Sequence, residues 1–128
     1  MAMKGGNMMS KTNYNIKAFA EDTGCDMEEI SDIFFTYIDE IISLTQAMNA
    51  MIESRNWTEL EKIVHNIKGS SGNLNIIDVY EKSTEFDRYL KSGIYDNCKH
   101  YGAELIELVN AAIIKIKDEF KENGIKID

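Results

Sequence analysis

The chain has 128 residues, of which 44% are hydrophobic and 28% are charged, and it contains no proline. This length has room for one domain with a single core, and the lack of proline suits long uninterrupted helices, so the composition predicts an all-α protein. The net charge of -8 argues against nucleic acid as a partner, because binding to a phosphate backbone needs a concentrated basic surface.

The sequence also bears on location. Cys25 and Cys98 lie far apart and form no CxxC pair, which favours reduced thiols in the cytosol. No apolar run approaches the roughly 18 residues that span a bilayer, so we expect no membrane association. Residues 1–13 are rich in methionine and glycine without periodicity, and we interpret them as a disordered leader or a cloning remnant. The domain is expected over residues 14–124.

The first predicted elements are a short helix near residues 16–21 and a long helix over about residues 27–53. The long helix begins where Asp26 and Glu29 form a capping-box pattern. Behind this start, apolar residues recur at helical spacing. They are Met27, Ile30, Phe34, Tyr37, Ile38, Ile41, Met48 and Ile52.

Three further helices are expected after short breaks. Their starts are marked by polar capping residues at Asn56 with Glu59, at Asn75 with Asp78, and at Asp96. Their ends are expected at Leu74, near Ser92–Gly93 and at Asn123–Gly124. Four amphipathic helices with short connections bury their apolar stripes most simply side by side. The sequence therefore predicts an antiparallel up-and-down four-helix bundle with a short additional N-terminal helix.

His65 lies on the second helix of this bundle. At about 100° per residue, the apolar side chains of that helix share an arc of roughly 120°, and His65 projects about 140° from its centre. The imidazole is therefore expected to stand in water, where a partner can reach it. Lys68 and Gly69 follow at the spacing that places them beside the ring, and Glu61 and Gly72 share the outer strip.

The two glycines of this helix need an explanation, because each costs roughly 0.5 to 1 kcal/mol relative to alanine. One interpretation is that residues 68–72 are the frayed end of the helix. Against it, Leu74 continues the apolar stripe beyond both glycines. We interpret Gly69 as leaving room for a donor to approach His65, whose neutral imidazole is a competent nucleophile, while Lys68 offers positive charge to phosphoryl oxygens.

The run His65-Asn66-Ile67-Lys68-Gly69-Ser70-Ser71-Gly72 resembles the signature of the histidine-containing phosphotransfer family of two-component phosphorelays. That signature is His, two residues, Lys-Gly, two small residues, and a hydrophobic residue followed by Gly. The matching residues are His65, Lys68, Gly69, Ser70, Ser71 and Leu74. Trp57 is also similar to the family's entry to this helix, and the resemblance in helix order covers roughly residues 14–122. Asn75 stands where the family has its closing glycine.

The resemblance implies that His65 takes a phosphoryl group, on Nε2, from the phosphoaspartate of a receiver domain and passes it to another receiver. Lys68 would stabilise the phosphoryl group, and Gly69 would give steric access. The chain would be a phosphoryl carrier and not an enzyme, since no GxxxxGK nucleotide loop is present. It would have no cofactor of its own, because the receiver supplies magnesium. Response-regulator receiver domains and a hybrid sensor kinase would be the partners of a cytoplasmic monomer.

For docking, three apolar side chains lie on one flank of the long helix: Phe35, Ile38 and Ile42. Together with Glu61 and Gly72 they are the predicted partner-binding residues. The alternative is that the short first helix covers this flank and makes it part of the core.

Parts of the sequence suggest two other functions. Glu61 with His65, and His100 with Glu104, have a spacing that suits metal ligands, but these side chains point away from the apolar stripes, whereas metal sites of bundles project inward. We therefore predict no metal site. The remaining alternative is a phosphotransfer-like binding or dimerisation module, or a kinase-phosphorylated domain of a larger sensor or chemotaxis kinase.

Overall fold

A computed structural model describes residues 14–125, and in this range the chain forms helices and no strand. The helices are α1 (Ile16–Thr23), α2 (Met27–Ser54), α3 (Trp57–Asn73), α4 (Ile77–Lys91) and α5 (Cys98–Glu122). The all-α prediction is thus confirmed. None of these described helices has the combination of length and apolar character that crossing a membrane requires. The predicted leader, residues 1–13, lies outside the described range.

The predicted helix caps form where both hydrogen-bonding residues lie in the same turn. Asp26 accepts a hydrogen bond from the backbone N–H of Glu29 at 2.8 Å, and the Glu29 side chain accepts from the N–H of Asp26 at 3.0 Å, which completes the capping box of α2. Asn56 likewise accepts from the N–H of Glu59 at 3.3 Å and begins α3. The break after α2 is made by Arg55, which adopts a left-handed backbone with φ 58°.

Two predicted helix caps are displaced by one residue. Asn75 does not cap α4; it has a left-handed backbone with φ 59°, and α4 begins at Ile77 after Ile76. The N–H of Ile76 donates to the carbonyl of Ser71 at 2.9 Å, and that of Asn75 donates to Gly72 at 3.2 Å. This is the Schellman pattern that closes a helix around a left-handed residue. Asn75 therefore takes the place of a glycine at the end of α3.

The cap of α5 was predicted at Asp96, whereas the cap is Asn97 and the helix begins at Cys98. Asn97 makes no side-chain cap hydrogen bond, and its N–H donates to the hydroxyl of Tyr89 at 2.8 Å. A tertiary contact from α4 thus sets this turn. Sequence patterns that look only for local caps cannot find such a start.

The core lies where the helices face one another. α3 packs mainly against α4 and also against α2, α5 packs against α4 and α2, and α1 rests on α2 and α5. Phe34 joins these layers, because its ring contacts Phe19 of α1 and Phe120 of α5 in edge-to-face geometry. Each large apolar side chain contributes roughly 1.5 to 3 kcal/mol when fully buried. The core residues of α3 are Leu60, Val64 and Ile67.

Candidate functional site

The imidazole of His65 stands on the outer face of α3. Its side chain is 64% exposed, whereas Val64 and Ile67 on the same helix are fully buried. Buried Ser71 continues the inner face, and its hydroxyl is 2.8 Å from the hydroxyl of Tyr37 on α2. The helix phase predicted from the sequence therefore holds around His65. A side chain in this position is accessible to a second macromolecule.

The helix runs through both glycines, which excludes the frayed-end interpretation, since α3 extends to Asn73. The two glycines have different surroundings. A Cβ added at Gly69 would meet no atom within 4 Å, so this position leaves open space beside His65. A Cβ added at Gly72 would lie 2.9 Å from Cδ1 of Tyr80. Gly69 thus opens the surface, and Gly72 permits close packing of α4 on α3.

The side chain of Lys68 is partly buried against α4. It is only 29% exposed, and its Nζ lies 3.6 Å from Oδ2 of Asp87. The ammonium group is therefore held against α4 instead of moving freely in water. It remains on the same side of α3 as His65, because both residues face Asp87. The ammonium group of Lys68, which is expected from the sequence to bind phosphoryl oxygens, lies on the side of α3 that carries His65. The carboxylate of Asp87 already compensates its charge.

Asp87 is the residue of this site that the sequence analysis missed. Its side chain is 5% exposed, and its Oδ2 lies 3.7 Å from Nδ1 of His65. Its Oδ1 accepts a hydrogen bond from Nζ of Lys91 at 2.7 Å. The available signal was an acid within the buried stripe of α4, beside Ser83, Phe86 and Leu90. Acids are rarely buried without a partner, so such a position marks a polar contact across helices.

The electrostatics of Asp87 follow from its neighbours. Burial alone would raise the pKa of this carboxyl, because it disfavours the charged form. The hydrogen bond and charge of Lys91, with the charges of Lys68 and His65, outweigh burial and hold the pKa of Asp87 below its ordinary value. Asp87 is therefore ionised at neutral pH, with two lysines and an imidazole around it.

Two shallow grooves flank His65. One, of about 370 Å³, runs between α3 and α4 and includes Gly69, Gly72, Ile77 and Tyr80. The other, of about 350 Å³, includes Glu61, Lys62 and Lys91. Glu61 and Gly72, both predicted to bind a partner, thus lie in different grooves on either side of the imidazole. The first groove also includes the side chain of Lys68, so charged groups lie on both sides of the imidazole.

The predicted docking flank of α2 is only partly at the surface. Ile42 is 41% exposed and Phe35 is half-buried, but Ile38 is only 3% exposed and belongs to the core. Ile38 therefore offers almost no surface to a partner. The reason is that α2 is contacted by α1, α3 and α5, so its buried arc is wider than a single apolar stripe.

The described residues contain no group of three or more potential metal ligands. Glu61 pairs with Lys91, its carboxylate lying 3.4 Å from Nζ, and His100 lies 3.5 Å from Glu104 at the surface of α5. Cys25 and Cys98 are free thiols.

Comparison with family models, with curated protein sequences and with solved structures gives no match to this chain. The resemblance to the phosphotransfer signature therefore depends on the residues of α3 and their geometry.

Proposed function

We propose that this protein is a histidine phosphotransfer carrier, in which α2 to α5 form an antiparallel four-helix bundle and α1 packs against it. The observation that carries the proposal is the exposed imidazole of His65, with open space at Gly69 and the ammonium group of Lys68 on the next turn of α3. A core histidine or a fortuitous surface histidine needs neither of these neighbours. Together they provide access for a donor and charge for its phosphoryl group.

The proposed reaction is an in-line transfer between a phosphoaspartate and an imidazole. The lone pair of Nε2 attacks phosphorus, the bond from phosphorus to the aspartyl oxygen breaks, and its electron pair leaves with the donor carboxylate. Lys68 meets the charge of the phosphoryl oxygens. A receiver domain brings the magnesium ion with its own carboxylates, so this chain acts as a carrier and needs no nucleotide site. The reverse reaction then loads a second receiver.

The proposed partners are response-regulator receiver domains and a hybrid sensor kinase, met by a cytoplasmic monomer. The net charge of -8 supports protein partners over nucleic acid. Docking is proposed through the grooves beside His65 and through Phe35 and Ile42 of α2, because these side chains keep exposed apolar surface. Ile42→Asp should slow transfer if that flank binds the receiver, whereas Ile114→Asp on α5 serves as a matched control at another exposed isoleucine.

The test is incubation of the full chain with phosphorylated receiver domains, followed by measurement of acid-labile label. His65→Gln should take up no label, and His100→Gln should be labelled like the native protein, since these are the two histidines of the chain. The assignment would be refuted if the two variants were labelled equally, or if neither the native protein nor either variant took up label. Label that arrives only from an ATP-loaded kinase domain would point instead to a kinase-phosphorylated domain.

Lys68→Ala tests the second residue of the site. Transfer should slow by about tenfold or more, because removal of a positioned cation from a phosphoryl site lowers transition-state stabilisation. The fold should persist, since Asp87 keeps its shorter contact with Lys91 at 2.7 Å. Circular dichroism and urea unfolding provide the control. An unchanged transfer rate in a folded Lys68→Ala protein would remove Lys68 from the mechanism.

A further inference from the structure

A cleft of about 710 Å³ opens at the end of the structure where α2 passes into α3 and α4 passes into α5. It shares no lining residue with either groove beside His65. Trp57 lies in this cleft, eight residues before His65 and thus about 12 Å away along the axis of α3. The cleft is therefore a surface that the proposed phosphoryl transfer does not use.

One wall of the cleft is a pair of aromatic side chains. The ring of Trp57 on α3 stacks on that of Tyr95, which lies between α4 and α5, with centroids 4.7 Å apart and planes 12° from parallel. Both residues are half-buried, and Ile94 beside them is 54% exposed. Because the two rings hold each other in place, a ligand that packs on them has little side-chain ordering to bring about. This wall suits a flat apolar body.

The charged residues of the cleft are two cations and one carboxylate, Asp96. The cations, Arg55 and Lys99, are exposed, and neither side chain makes an ion pair or hydrogen bond with any of residues 14–125. Arg55 also has a left-handed backbone, φ 58°, at a helix end where glycine or asparagine is common. The turn itself does not need a long cationic side chain. The cleft thus has an excess of positive charge on a chain whose net charge is -8.

We infer that this cleft binds a small organic anion that has a flat apolar body and one carboxylate or phosphate group. The body packs on Trp57 and Tyr95, and the anionic group pairs with Arg55 and Lys99. The volume of the cleft is in the range of small-molecule sites, roughly 300 to 1,000 Å³, and such sites commonly combine aromatic walls with a few charged groups. The inference does not depend on phosphoryl transfer at His65.

The chain contains a single tryptophan, so the indole N–H signal of Trp57 reports directly on this cleft. The ¹⁵N-labelled full chain is titrated with naphthalene-2-carboxylate and followed by proton–nitrogen correlation spectra. The indole signal and the amide signals of residues 93–99 should shift together, with a dissociation constant of about 1 mM, as expected for a small ligand in an open cleft.

Two related compounds separate the contributions of charge and of the flat body. Naphthalene-2-methanol has the same rings without the charge, and it should bind about tenfold more weakly because it loses both cation contacts. Acetate has the charge without the rings, and it should leave the indole signal unchanged at the same concentrations.

Arg55→Asn and Lys99→Gln remove the two cations one at a time. Each should weaken the binding of naphthalene-2-carboxylate by about two- to fivefold, the effect of one exposed charge pair, and leave the binding of the neutral compound unchanged. Both variants should fold, because both side chains are exposed and asparagine tolerates the left-handed backbone at position 55. Lys121→Gln is the matched control, since it removes an exposed lysine at the other end of α5, and it should bind like the native protein.

The inference is overturned if the neutral compound binds as tightly as the anion, if the shifts spread over the whole surface, or if the variants at Arg55 and Lys99 bind like Lys121→Gln. The competing occupant is an acidic segment of another protein, represented by a blocked tripeptide of glutamate, phenylalanine and glutamate. If this peptide saturates the same signals at about tenfold lower concentration, the cleft takes a protein segment and the small-ligand inference fails. None of these measurements involves label on His65, so the inference and the proposed function fail separately.

Discussion

Alanine substitutions at Gly69 and Gly72 are expected to change stability in opposite directions, although both residues lie in α3. At Gly69 the new methyl group meets no atom within 4 Å, so only the helix propensity changes, and the free energy of unfolding should rise by about 0.5 to 1 kcal/mol. At Gly72 the methyl group would lie 2.9 Å and 3.0 Å from two ring carbons of Tyr80. Such overpacking costs about 1 to 3 kcal/mol.

The propensity gain at Gly72 is small because this residue is the penultimate one of α3, where the helix already ends. A net loss of about 1 to 2 kcal/mol follows from these two effects. Urea unfolding, followed by the helical circular dichroism signal, measures both variants. In a domain of this size about 1 kcal/mol corresponds to roughly 4 °C, so Gly69→Ala should raise Tm by about 2 to 4 °C and Gly72→Ala should lower it by about 4 to 8 °C.

The control for this pair is a Tyr80→Ala background, in which Gly72→Ala should no longer destabilise the protein. The reasoning is refuted if Gly72→Ala is as stabilising as Gly69→Ala, or if its cost persists without the Tyr80 ring. Gly69→Ala carries a second expectation. Because its methyl group occupies the approach to His65, the more stable protein should accept phosphoryl groups severalfold more slowly.

Three further predictions concern the core and the buried acid. Ile38→Ala should destabilise the protein by about 2 to 4 kcal/mol because Ile38 is buried, whereas Ile42→Ala at the exposed position should change unfolding by less than about 0.5 kcal/mol. The pKa of Asp87 is lower in the native than in the unfolded chain, so its stabilising contribution is complete above the unfolded value and is lost as the pH falls through the native value. Urea midpoints should therefore fall more steeply below about pH 4 for the native protein than for Asp87→Asn. Tyr37→Phe and Ser71→Ala should each cost about 1 kcal/mol through their shared buried hydrogen bond, and the double variant should cost less than the sum.

The sequence was sufficient where structure is decided within one helix. The capping box at Asp26 forms between residues of the same turn, and the exposure of His65 follows from the period of α3 alone. It was insufficient where packing against another helix determines the surroundings of a residue. Asp87 meets His65 only because α4 packs against α3, and no local pattern around either residue encodes that contact. Ile38 belongs to the apolar stripe that the sequence predicts for α2, but the extent to which this flank is covered is set by the helices that pack against it.

Asn75 shows an intermediate case. The residue type was compatible with either a helix cap or a left-handed backbone, and the sequence could not choose between them. The structure has the left-handed form, because the backbone hydrogen bonds that close α3 need it there. Asparagine tolerates this conformation better than most residues other than glycine. The departure from the family signature at Asn75 is thus compatible with the end of α3.

The anchoring of α1 has a consequence for the order in which the chain is completed. The N–H groups of Tyr14 and Ile16 donate to the carboxylate of Glu119 on α5, at 3.2 Å and 3.4 Å, so the first helix is capped by a residue near the other end of the chain. A helix of eight residues is marginal without such support. During synthesis, α1 leaves the ribosome before α5, so the Glu119 carboxylate becomes available to these N–H groups only after α5 has emerged. The contact between α1 and α5 therefore forms late relative to the synthesis of α1.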